Sequence, residues 1–280
     1  MAVKNRVFVI LDPTCMEQAA LDWGEQIVRA FRDRPESAGV LHIYCCINAE
    51  SVALVSSDND AHARAATEKR VLDWVDRLAL NARNDGLEVE TEVEWHDDWR
   101  KAIVVAAERA GSTLVVKNMT QHSRFVRMVK ETSDWTLIRE CLCPMLLVKT
   151  GRPFGISKIL VAMKYKPEEV SYEKANHDVL ATAKRLAADL GAELHVVTAY
   201  TGAHPDRQRF ADYCGLERSQ VSAAIGVPEK VIAETAHRQG SDLLIIARVE
   251  NPDSPKALGI TARKVIDEID TEVLVLPVAS

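Results

Sequence analysis

Residues 144–163 read PMLLVKTGRPFGISKILVAM, and this stretch decides how the chain is organised. Two short apolar runs, Met145–Val148 and residues 159–163, flank a connector that holds Gly151, Pro153 and Gly155. Each run is too short for a globular helix and the first follows Pro144 directly, so both predict buried strands. Glycine and proline stop either run from continuing, and Arg152 keeps the connector in water. One unit therefore finishes at Val148 and another starts at Ile159.

The second unit repeats the first. Residues 107–116, AERAGSTLVV, return as AHRQGSDLLI at 236–245, an offset of 129. The LHI of 41–43 returns as LHV at 194–196, an offset of 153, and residues 7–12 return at 159–164, an offset of 152. Residues 145–148 return at 273–276, an offset of 128. The two groups of offsets differ by 24 residues, which means that the second copy has lost roughly one helix after its second strand. One pair of copies is a duplicated domain, since a solenoid needs at least three units. The expected division is a first domain over 1–150, a linker over 151–157 and a shortened second domain over 158–280.

Composition narrows the class. A chain of 280 residues, 27% charged and 47% hydrophobic, can bury two modest cores. A net charge of −6 argues against a general nucleic-acid binder. No apolar run approaches the ~20 residues of a membrane span. The opening MAVKNRVFVILD enters a strand at once and meets Asp12 too early for a signal peptide. Six cysteines show no framework spacing, and Cys45 and Cys46 are adjacent in a strand, pointing to opposite faces. A reduced, cytoplasmic protein is the expectation.

The remaining elements alternate. Strands are predicted at 6–11, 40–46, 87–95, 114–116 and 145–148, and again at 158–163, 193–199, 220–225, 243–247 and 273–276. Helical spacing covers 16–31, 60–85, 98–109 and 133–141, then 172–190, a short piece within 204–216, 228–238 and 258–269. The strand at 87–95 alternates with charge and reads as an edge. Gly86 is expected to close the long helix over 60–85, and Asp97 or Asp98 to cap the next one. Strands alternating with helices predict α/β domains with parallel sheets.

Three stretches carry a family resemblance: VPEKVIAETAHRQGSDLLII at 227–246, LGITARKVIDEIDTEVLVLP at 258–277 and WTLIRECLCPMLLVK at 135–149. They resemble the universal stress protein family in its tandem form, and the match covers essentially the whole chain. The segments VEWHDDWRKAIV at 93–104 and TSDW at 132–135 are similar to the E-type tandem members. The resemblance implies two flavodoxin-like (Rossmann-like) domains, each a five-stranded parallel sheet of order 3-2-1-4-5, related by a pseudo-twofold. Ligands of such sheets bind beyond the carboxyl ends of strands one and four, where the strand order reverses.

Many members of that family bind ATP there, through Gly-x2-Gly-x9-Gly-Ser/Thr after strand four and an Asp that ends strand one. Glycines let backbone N–H groups approach phosphates at a helix N-terminus. This chain departs from the motif in both halves. In the first half Asp12 is kept, but Asn118, Gln121 and Glu131 stand at the glycine positions. In the second, Lys164 replaces the Asp, Ala247 and Glu250 replace two glycines, and Ile260 follows Gly259 where the hydroxyl belongs, with Thr261 one step late. A carboxylate at 131 or 250 would repel phosphates. No cofactor is therefore expected with assurance, and ATP, though possible for the fold, is disfavoured by the eroded glycines.

The polar loop of the first half offers a different chemistry. Asp12, Lys117, Asn118, His122, Arg124, Lys130 and the helix start at Ser133 are candidates for a small anionic ligand. Lys164, Ala247, Arg248, Gly259 and Thr261 are their counterparts in the second half. His96-Asp97-Asp98 lacks the further donors of a metal site and reads as a strand end with a capped helix. Cys141 and Cys143 read as structural, and His42 and His195 as packed strand histidines. No nucleophile elbow, Walker loop or paired carboxylates occur, so no catalytic residue is expected. The preferred reading is a stress-response protein acting as a non-catalytic ligand-sensing or interaction module. The alternative is an ATP-binding protein with weak nucleotide hydrolysis through its second domain. Met145–Val148 and the run Val273, Leu274, Val275 and Leu276 are short apolar strands that would aggregate if left bare. The two halves are expected to dock through them as an intramolecular pseudo-dimer, their joining peptide holding the effective concentration at roughly millimolar.

Overall fold

A computed structural model of the chain describes residues 5–32, 38–48, 51, 61–119, 133–151, 154–166, 172–202, 205–249 and 260–278. The chain divides into two compact units, Met1–Arg152 and Pro153–Ser280. The first runs β1 (Asn5–Leu11), α1 (Ala19–Arg32), β2 (Gly39–Ile47), α2 (Ala61–Leu78), α3 (Leu80–Asn84) and β3 (Glu88–Trp95). It continues with α4 (Trp99–Arg109), β4 (Leu114–Asn118), α5 (Ser133–Glu140) and β5 (Met145–Val148). Its strands pair in parallel in the order β3-β2-β1-β4-β5. The second unit runs β6 (Lys158–Ala162), α6 (Glu173–Leu190), β7 (Glu193–Tyr200), α7 (Arg207–Cys214) and β8 (Val221–Ile225). Then come α8 (Pro228–Gln239), β9 (Leu243–Val249), α9 (Ile260–Glu268) and β10 (Glu272–Val278). Its order, β8-β7-β6-β9-β10, is the same topology. Among the described residues between β7 and β8 the helical content is the eight residues of α7 and a short 3₁₀ turn at Arg218–Gln220.

Parallel strands covered on both faces need continuous apolar runs, and the sequence supplies them. Val7, Phe8 and Val9 of β1, Val115 and Val116 of β4 and all of β5 are buried, as are Ile159–Val161 of β6 and Leu243–Ile246 of β9. Helix α1 lies close on its sheet because Gly24 faces β1: a Cβ there would come within 2.3 Å of Val9 Cγ2. Its buried stripe of Ala20, Leu21, Trp23 and Val28 closes over β1, β2 and β4.

The alanine-rich run at 60–85, which reads as one helix, divides at Ala79 into α2 and α3. Ala79 keeps helical dihedrals, accepts from Arg83 N and donates to Val75 O, both at 3.0 Å. No glycine or proline marks this point in the sequence. Gly86 ends the run with φ +77°, a conformation that costs other residues steric strain. Asp98 is the cap of α4, its carboxylate accepting from Lys101 N.

The edge strand β3 carries its charge on one face, and most of that charge is matched. Arg6 pairs with Glu90, Arg109 with Glu92 and, at 3.7 Å, with Glu94. Tyr44 Oη donates to Glu94 at 3.0 Å. His42 is buried among them, with Nε2 3.0 Å from Glu92 and Nδ1 3.3 Å from Glu90. Burial holds its imidazole below the ordinary pKa against the pull of both carboxylates. Its sequence counterpart His195 sits differently, only half-buried, with Nε2 2.8 Å from Ser219 O. It lines an open cleft of about 500 Å³ with Lys184, Glu193, Glu217 and Gln220.

Candidate functional site

The carboxyl ends of β1 and β4 meet where the strand order of the first unit reverses. Asp12 follows the last residue of β1, and its carboxylate is already engaged. Oδ1 accepts from Thr14 N at 2.9 Å and Thr14 Oγ1 at 2.6 Å, and Oδ2 accepts from Cys15 Sγ at 3.4 Å. This is an Asx turn, a local bond that holds the chain leaving the strand. Burial and the Asp12 carboxylate together push the Cys15 thiol up.

Gln18, one residue before α1, bonds the same turn from the other side. Its Nε2 donates to Asp12 O at 2.7 Å and to Cys15 O at 2.9 Å, and its Oε1 accepts from Asp12 N at 3.2 Å.

Asn118 ends β4, at the position of the first motif glycine. It is buried, and its amide bonds α1 at one end and the turn before it at the other. Oδ1 accepts from Ala20 N at 2.6 Å, and Nδ2 donates to Glu17 O at 3.0 Å. The first N–H groups of a helix have no partner within it. Here Asn118 takes Ala20 N while Gln18 O takes Leu21 N at 2.8 Å. Lys117 is also buried, and its Nζ donates to Asn118 O at 3.1 Å. An anion approaching the start of α1 would have to displace the Asn118 amide.

The second unit repeats one part of this arrangement with different residues. Asn176, in the first turn of α6, donates from Nδ2 to Lys164 O at 2.8 Å, as Gln18 does to Asp12 O. Thr198 Oγ1 accepts from Tyr165 N at 3.2 Å. The Lys164 ammonium stands 3.9 Å from the centre of the Tyr172 ring, a cation–π contact. Tyr165 packs on Phe210 and Tyr213, with ring centres 4.7 and 5.1 Å away. Ala247 and the buried Arg248 lie within β9, at the same end of the sheet.

Of the residues singled out from the sequence, the structure brings together Asp12, Lys117 and Asn118 in one unit and Lys164, Ala247 and Arg248 in the other. Ser133 and Thr261 fall in the first turns of α5 and α9, but their side chains lie outside the described residues, as do His122, Arg124, Lys130 and Gly259. Sequence reasoning missed Gln18 and Asn176. A side-chain amide at the start of the helix after strand one, in both copies, was the available signal. At the end of β3, His96 Nδ1 accepts from Asp98 N at 3.0 Å. Among the described residues no group of three or more His, Cys, Asp or Glu is placed to hold a metal ion. Among them, too, no helix is long and apolar enough to cross a membrane.

Two doubly wound parallel sheets in one chain, each with its strand-order reversal capped by the start of the first helix, define a tandem of flavodoxin-like domains. The universal stress protein family matches residues 5–149, and the chain belongs to that family. It is similar to Universal stress protein E of Escherichia coli K12, with 26% identity over 310 aligned positions that cover 99% of this chain and 95% of the relative. The homologue from Haemophilus influenzae is also 26% identical, over 98% of this chain and 97% of its own length. Among solved structures, a universal stress protein from Archaeoglobus fulgidus superposes with a TM-score of 0.75 at 15% identity, covering 98% of this chain and 96% of the other. A functionally unknown protein from Pseudomonas aeruginosa PAO1 superposes with a TM-score of 0.74 at 23% identity, covering 99% and 94%.

Proposed function

We propose that this protein is a non-catalytic ligand-sensing or interaction module of the stress response, in which the nucleotide loops have lost their phosphate-binding role. The observation that carries the reading is the bonding of Asn118. A glycine at that position would leave backbone donors open to a phosphate. The amide instead spends one end on α1, through Ala20 N, and the other on the turn before it, through Glu17 O. The carboxylate of Asp12 is likewise engaged by Thr14 and Cys15. A small anionic ligand is the candidate occupant of the first unit. It would be drawn by Lys117, His122, Arg124 and Lys130 toward the helix start at Ser133, the residue types from which an anion site is made. A cytoplasmic location belongs to the same proposal, on the ground that the spacing of the six cysteines is not that of a disulfide framework.

Gly259 favours a second reading. It is the one motif glycine that the chain keeps, and Arg248 supplies a cation near the end of β9. On that reading the second unit binds ATP and hydrolyses it weakly. Thermal unfolding with millimolar Mg-ATP separates the two. A ligand at 100 times its dissociation constant stabilises by about 2.7 kcal/mol, which moves the midpoint by several degrees in domains of this size. The proposal expects no shift with Mg-ATP and a shift with inorganic phosphate or sulfate that Lys130→Ala and Arg124→Ala diminish. A shift with Mg-ATP that Gly259→Leu abolishes establishes the second reading instead.

A further inference from the structure

Four of the six cysteines are chemically quiet. Burial pushes the Cys46 thiol up to about 11 and that of Cys214 to about 12, and raises that of Cys45 further still. Cys15 is held up by burial and by the Asp12 carboxylate that its thiol bonds. A thiol kept protonated is a poor nucleophile. Cys45 and Cys46, though adjacent, point to opposite faces of β2.

Cys141 and Cys143 are placed otherwise. Their Sγ atoms lie 3.4 Å apart. Cys141 is 3% exposed, whereas Cys143 is open to solvent in part. The chain on either side is fixed. Cys141 N donates to Leu137 O at 2.8 Å, closing the last turn of α5, and Pro144 O accepts from Val115 N at 2.9 Å, at the start of β5. Between these anchors only Leu142, with 68% exposure, and Cys143 can adjust. A disulfide sulfur pair is separated by about 2.05 Å, so the two sulfurs must close by a little over 1 Å.

We propose that Cys141 and Cys143 form a peroxide-responsive dithiol, with Cys143 the attacking sulfur and Cys141 the resolving one. The Cys143 sulfur attacks one oxygen of hydrogen peroxide or an alkyl hydroperoxide. The O–O bond breaks, Cys143 becomes a sulfenic acid, and the released hydroxide or alkoxide takes the thiol proton and leaves as water or alcohol. Cys141 Sγ then attacks Cys143 Sγ. The S–O bond breaks, the second water leaves with the Cys141 proton, and an S–S bond remains. The dithiol has lost two electrons and the peroxide has gained them. A bridge between residues two apart closes a small, strained ring, and strained disulfides are the readily reduced, regulatory kind. A dithiol reductant therefore restores the pair. This inference stands independently of any ligand at the strand-order reversals.

Reduced full-length protein treated with hydrogen peroxide, followed by intact mass and peptide mapping, tests it. The expected product is about 2 Da lighter than the reduced chain, with the change in the peptide that holds Cys141 and Cys143, and dithiothreitol reverses it. In Cys141→Ser the reaction stops at the Cys143 sulfenic acid, which dimedone labels. In Cys143→Ser the buried Cys141 stays unlabelled. Met16, 99% exposed, is an internal gauge of oxidant dose. If Met16 becomes sulfoxide while the pair is still a dithiol, the proposal is overturned. Oxidation that joins two chains, or that consumes Cys45 or Cys214 first, overturns it as well.

Discussion

Replacing Asn118 by alanine isolates the contact that ties β4 to the start of α1. The substitution removes an acceptor from Ala20 N, a buried donor, and a donor from Glu17 O, whose residue is exposed. Water can replace the second bond but not the first. Leaving a buried N–H without a partner costs about 1–3 kcal/mol, and losing a helix cap costs a similar ~1 kcal/mol in typical cases. We therefore expect a loss of about 2 kcal/mol from the first unit. At roughly 2–4 °C per kcal/mol for domains of this size, its midpoint should fall by about 4–8 °C. Tryptophan fluorescence reads that unit selectively, because all five tryptophans lie at or before Trp135. If Asn118→Ala unfolds within about 0.5 kcal/mol of the parent, the amide is a bystander and the argument from it fails.

Two further outcomes follow from described contacts. Burial depresses the His42 imidazole, so below its ordinary value of about 6.5 the unfolded chain binds a proton that the folded chain declines. Stability then falls as the pH drops through that window. The advantage of the parent over His42→Gln should shrink from about pH 7.5 to about pH 5.5, and an advantage that holds steady or grows in chemical denaturation would contradict the assignment. Asp242 Oδ2 accepts from Ser157 N at 2.8 Å, Ser157 Oγ at 2.7 Å and Lys158 N at 3.0 Å, fixing the start of β6. Asp242→Ala should cost the second unit about 1–2 kcal/mol. Tyrosine emission should report it, since four of the five tyrosines lie after residue 160.

The alternation of apolar strands and amphipathic helices was legible because each element's signal is local. MLLV at 145–148 is buried on every residue and needs no distant partner to be recognised. The charged alternation of 88–95 likewise announced an edge. The site was legible only in outline. Asp12 and Asn118 could be aligned with a motif, but the Asn118 amide bonds residues 98 and 101 positions away in the chain. No periodicity encodes so distant a side-chain bond. Gln18 and Asn176 escaped although their bonds reach only 6 and 12 positions along the chain, because both read as ordinary polar residues near a helix start. Cys141 and Cys143 illustrate the opposite limit. Their spacing was visible, but the sulfur contact depends on how the chain turns between α5 and β5.

The carboxylates of Glu88, Glu90, Glu92 and Glu94 on β3 have a consequence for the birth of the chain. Domains complete themselves in order during synthesis, the N-terminal one first. The β3 edge is formed once Trp95 and the strands beside it have emerged, while the second copy is still being translated. Ribosomes following one another on a message hold many such half-finished chains at high local concentration. An uncharged parallel edge would be a template for its neighbours. Charged side chains at every second residue, held with their arginine partners, make this edge a poor template throughout the interval when each copy is most vulnerable.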